Sequence, residues 1–69
     1  MSIQVHIGQA VRQRRAESGL TQEDLGFEAN LDRTYISLIE RGEANITVEK
    51  LAQLASALNV PCFELIKPL

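Results

Sequence analysis

The stretch QEDLGFEANLDRTYISLIER, residues 22–41, constrains the fold more than any other part of this chain. Leu25 and Ala29 stand four residues apart, Ile36 and Ile39 three apart, and Leu31 lies between the two pairs. Apolar residues at those spacings line one side of a short helix on each flank of a polar break. Gly26 supplies a small residue where two such helices would touch. Asn30 stands where the chain must turn, and Asn tolerates a left-handed backbone better than most side chains. Inward apolar pairs, a small contact residue and a turn former together predict a helix-turn-helix.

The flanks predict three more helices. Ile3, Ile7 and Val11 recur every four residues with Ala10 beside them, giving a first helix over about Gln4 to Ser18 that Gly19 ends. Thr21 and Asp24 are spaced as a capping box for the second helix, with Leu20 and Leu25 as its staple. Asp32 caps the third helix, which runs to Arg41 before Gly42. Thr47 caps the fourth, whose Leu51, Leu54, Ala55 and Leu58 form an apolar stripe. Asn59 and Val60 turn the chain into Pro61 and a short fifth helix, about Cys62 to Ile66, ended by Pro68. No segment alternates like a strand, so the prediction is an all-α fold of five helices in one domain, residues 1–69.

A chain of 69 residues buries a modest core and needs support from elsewhere. A single cysteine, Cys62, excludes an internal disulfide, and His6 as the one histidine leaves no metal cluster and no cofactor site. Association with a second copy is the remaining support. There is no apolar run of about 18 residues and no signal-like start, so the expectation is a soluble, cytoplasmic protein without a membrane or small-molecule partner. The formal charge of −2 opposes long-range attraction to nucleic acid. Its distribution is uneven: Arg12, Arg14 and Arg15 cluster on the first helix, and Glu17, Glu23, Asp24 and Glu28 follow. No nucleophile–base pair or carboxylate dyad stands out, so an enzyme is not expected.

The segments IGQAVRQRRAESGLTQEDL and LDRTYISLIERGEANITVEKLAQLASALNV resemble the phage repressor/Cro-type, XRE-like helix-turn-helix family over roughly Ile7 to Ile66. Within it, LDRTYIS and the compact length look most like the controller proteins of restriction–modification systems. The resemblance implies a double-stranded DNA partner, with the third helix in the major groove. It also implies a semi-buried salt bridge between Arg15 and Glu40. Controllers often carry a basic residue in the loop after the third helix. Here that loop reads GEAN, and Glu43 and Ala44 cannot make such a contact.

At about 100° per residue, Arg33, Thr34, Ser37, Leu38 and Arg41 fall on the side of the third helix opposite Ile36 and Ile39. The base-contact candidates are Arg33, Thr34, Ser37 and Leu38. Arg33 can donate two hydrogen bonds to guanine, Thr34 can bond or present its methyl, and Leu38 suits a thymine methyl. Thr21 and Gln22, at the free amides of the second helix, are candidates for the DNA backbone, with Tyr35, Arg41 and Asn45. A solvated helix face would account for the same polar residues, and a lone surface leucine for Leu38.

Residues 59–69 are expected to carry dimerisation. Val60, Phe63, Leu65, Ile66 and Leu69 offer more apolar surface than one short helix can bury, although Phe63 or Ile66 could instead close the monomer core. The resulting expectation is a homodimeric, repressor-like transcription regulator on a pseudo-palindromic operator, with autoregulation through its own concentration. Glu23, Asp24 and Glu28 are exposed acids that could touch RNA polymerase. The competing reading is a protein-interaction module or antitoxin on the same fold, which the acidic loop would suit.

Overall fold

The computed structural model describes residues 2–67, which fold into four α-helices and a final 3₁₀ turn. Helix α1 spans Ile3–Glu17, α2 Gln22–Ala29, α3 Arg33–Glu40 and α4 Val48–Ala57. No strand occurs among the described residues.

Local chemistry sets each helix start. Ser2, Thr21, Asp32 and Thr47 are extended N-caps whose side-chain oxygens accept from Val5, Asp24, Thr34 and Lys50 amides respectively. At α2 the box is complete, since the Thr21 amide also donates to the Asp24 carboxylate at 2.9 Å. The corner after α2 is closed by Asn30 in the left-handed conformation, φ 59°. Asn59 repeats this device after α4.

Every element then contributes one large, fully enclosed side chain to a single core: Val11, Leu25, Ile36, Leu54 and Leu65. α1 packs on α3, α3 on α2, and α2 on α4, while the last turn fills the space between α1 and α4. Two glycines permit the close crossings. A Cβ on Gly26 would lie 2.6 Å from the Leu31 carbonyl oxygen, so the corner needs its absence. Gly8, which the sequence pattern did not single out, does the same for α1: a Cβ there would strike the Ile39 carbonyl and come 3.0 Å from that of Glu40.

The C-terminal part departs from expectation. The fifth helix is a 3₁₀ turn, Cys62–Leu65, held by bonds from Glu64 to Pro61 and from Ile66 to Phe63. With room for one turn only, the tighter i→i+3 pattern prevails. Leu65, expected at a dimer interface, is wholly enclosed in the monomer core and is withdrawn from that set. It does the work expected of Phe63 or Ile66, which stay 61% and 42% exposed. Val60 is half-buried against the core. Pro68 and Leu69, expected to end the helix and to add apolar surface, lie outside the described residues.

Helix propensity alone would make Gly8→Ala stabilising by about 1 kcal/mol. Backbone overlap reverses the sign, and the substitution should destabilise by about 1–3 kcal/mol in urea unfolding. The Asp24 carboxyl is held below its ordinary range by the Thr21 amide and then by the Thr21 hydroxyl. A lowered native pKa adds stability above the unfolded value that is lost as pH falls through the native one. Asp24→Asn should therefore flatten the acid limb of a melting-temperature profile and leave the profile near neutrality parallel to wild type.

Candidate nucleic-acid interface

The corner that presents α3 is fastened by one polar cluster. Arg15 of α1 donates through Nε to Glu40 Oε2 at 2.6 Å and through Nη2 to Oε1 at 3.0 Å. Its third nitrogen donates to the Leu20 carbonyl at 2.9 Å, and Gln22 Nε2 adds a bond to Glu40 at 3.2 Å. The Glu40 side chain is only 3% exposed and that of Arg15 17%. The hydrogen bond to Glu40 raises the Arg15 pKa further, against the lowering effect of burial. This pair is the one the family resemblance implies, and it spans α1, the α1–α2 connection and α3.

With Ile36 and Ile39 buried against the core, α3 turns its other side outward. Arg33 and Thr34 are exposed at its start, Ser37 and Leu38 are half-buried beyond them, and Arg41 is exposed at its end. Leu38 is thus less anomalous than a fully exposed leucine. Beside this face lie two further candidates, Tyr35 and Asn45. Tyr35 donates from its hydroxyl to the Asn45 carbonyl at 3.4 Å, and the Asn45 side chain accepts from Gln4 of α1. The loop after α3 is therefore tied to α3 and to the start of α1.

Lys50 stands with its ammonium 4.9 Å from the centre of the Tyr35 ring, a contact worth about 0.5–1 kcal/mol at an exposed site. Sequence reasoning missed both Lys50 and Gln4. A cation on the first turn of the next helix is visible as a residue, but its proximity to Tyr35 depends on how α4 packs.

Two exposed acids shadow the cations. Arg33 Nη1 lies 4.0 Å from Glu23, and Arg41 Nε lies 3.5 Å from Glu43. Exposed pairs of this kind contribute about 0–1 kcal/mol, so a phosphate or base can displace them. At the start of α2, the cap takes the Asp24 amide, and the Gln22 side chain is engaged by Glu40. What α2 offers a phosphate is its first backbone amides, that of Gln22 among them, and the Thr21 surface. Arg14 of α1 turns to Glu64 at 2.5 Å and braces the last turn, where Lys67 also meets Glu64 at 3.0 Å.

Among the described residues no group of three or more His, Cys, Asp or Glu side chains could hold a metal, and no helix is long and apolar enough to cross a membrane. The α2–turn–α3 corner with an outward polar face defines a DNA-binding class. This chain belongs to the helix-turn-helix family of DNA-binding transcription regulators, whose family profile matches residues 11–65.

Within that family its relatives include restriction–modification controllers. It is 45% identical over 60 residues to control protein C.BamHI of Bacillus amyloliquefaciens, covering 86% of this chain and 74% of that one. The fold superposes on the restriction–modification controller C.AhdI from Aeromonas hydrophila with a TM-score of 0.88 and 40% identity, over 90% of this chain and 94% of that one. A hypothetical transcription factor from Neisseria, NHTF, gives a TM-score of 0.93 at 33% identity, over 97% and 77% of the two chains.

Arg15→Ala and Glu40→Ala should each cost about 2–4 kcal/mol, somewhat below a fully buried pair because Arg15 keeps a solvated edge. In denaturant unfolding the double variant should lose clearly less than the sum, since the second truncation removes an already orphaned charge.

Proposed function

We propose that this protein acts as a homodimeric, autoregulatory controller that reads a pseudo-palindromic operator with Arg33, Thr34, Ser37 and Leu38. The observation that carries the reading is the outward face of α3: donors at its N-terminal end, fixed by a buried ion pair to the rest of the domain. Thr21, Gln22, Tyr35, Arg41 and Asn45 surround that face and would place the domain on the phosphates, with Lys50 as a further cation. Arg33 at a guanine edge would supply about 1–3 kcal/mol of discrimination.

Phe63 and Ile66, with Val60 beside them, form the apolar surface that a second copy would cover. Such pairing would set two α3 helices about 34 Å apart, matching half-sites one turn of DNA apart. Occupancy then depends on the protein's own concentration twice, through dimerisation and through binding. Binding upstream of its own gene would close the regulatory loop. On α2, Asp24 and Glu28, with Glu23 at the edge toward α3, form the face that we assign to RNA polymerase when the bound dimer activates. Repression by occlusion needs no such contact.

Selection from random duplexes with the folded protein should recover a two-fold motif with half-sites about one turn apart. Arg33→Ala should then relax one position in each half and weaken operator binding by about ten- to a hundred-fold. A folded, homogeneous preparation that enriches no sequence and binds no DNA at low salt would overturn the proposal.

A further inference from the structure

We infer that Glu23 is a specificity-determining residue, which holds Arg33 for a guanine edge and penalises its use on phosphate. The inference rests on the proposed placement of Arg33 at the base edges.

The geometry begins with the corner. Gly26 lets the backbone of α2 approach the start of α3 so closely that a Cβ on Gly26 would lie 3.4 Å from the Arg33 amide nitrogen. The Leu31 amide donates to the Gly26 carbonyl at 2.8 Å, and Asp32 caps α3 by accepting from Thr34 at 2.7 Å. These contacts fix α2 at Gly26 against the first residue of α3, and Glu23 lies three residues before Gly26 on the same side of that helix. Glu23 and Arg33 therefore face each other by construction of the corner. The carboxylate lies 4.0 Å from one terminal nitrogen, Nη1.

A guanidinium has five N–H donors in a planar fork. With Nη1 turned toward Glu23, the edge formed by Nε and Nη2 remains open. One edge is what a bidentate contact to guanine O6 and N7 requires. Arg33 can thus keep Glu23 and gain guanine at once.

A phosphate is the alternative acceptor, and it differs from guanine in being an anion. Bringing Arg33 to a phosphate brings the Glu23 carboxylate toward the same charge. The neutral guanine edge imposes no such repulsion. In the free protein the exposed pair contributes little. Its effect lies in the difference between two bound states, which is how specificity arises when wrong partners meet like charge.

The test measures competition binding to the selected operator and to a random duplex of equal length. It uses wild type, Glu23→Gln, Arg33→Ala and the double variant, each checked for an unchanged helical spectrum. Glu23→Gln should tighten binding to the random duplex and lower the operator-to-random ratio by about three- to ten-fold, the scale of one unit charge removed at groove distances. In the Arg33→Ala background the same substitution should leave the ratio nearly unchanged. An equal change on both duplexes, or a fall in ratio that persists without Arg33, would overturn the inference. If Arg33→Ala leaves operator binding intact, the placement of Arg33 itself fails, and the two failures are read from different variants.

Discussion

The Arg15–Glu40 pair is the contact on which the rest of the structure depends. It is bidentate, almost wholly removed from solvent on the glutamate side, and supplemented by the Leu20 carbonyl and the Gln22 amide. Burying charge is expensive unless partners satisfy it, and here each partner comes from a different part of the chain. The result is a fixed angle among α1, the start of α2 and the end of α3. A domain with a core this small has few other means of holding α3 rigid.

From that anchor the outward surface follows. Ile36 and Ile39 lock α3 to the core, so Arg33, Thr34 and Arg41 must face out. Tyr35 and Asn45 then fasten the following loop to the same face, and Lys50 adds a cation from α4. The acids Glu23 and Glu43 beside Arg33 and Arg41 fit the low overall charge. Such a surface attracts DNA weakly at long range, which places the weight of recognition on short-range contacts rather than on steering.

The sequence carried those parts of the structure that local chemistry decides. Thr21, Asp32 and Thr47 as caps, Asn30 as a left-handed corner and Gly26 as a contact residue all follow from interactions within a few positions. Of the contacts across long separations, Arg15–Glu40 was expected only through the family resemblance, and others were not legible. Gly8 under Ile39, Gln4 beside Asn45, Arg14 on Glu64 and Lys50 over Tyr35 all depend on how elements pack. The last turn shows the same limit. Periodicity says little about an element one turn long, and packing between α1 and α4 turned Leu65 inward and left Phe63 and Ile66 outside.

The central claim is that the outward face of α3, held by the buried pair, is the surface that meets DNA. Titrating isotopically labelled protein with the selected operator duplex and following backbone amide resonances tests it most directly. The account predicts that the largest shifts map to residues 33–38, the first turn of α2 and the loop around Asn45, while the amides of Leu54 and Ala55 in the core barely move. Shifts concentrated instead on the outer side of α1, around Arg12 and Gln13, with α3 silent, would contradict it.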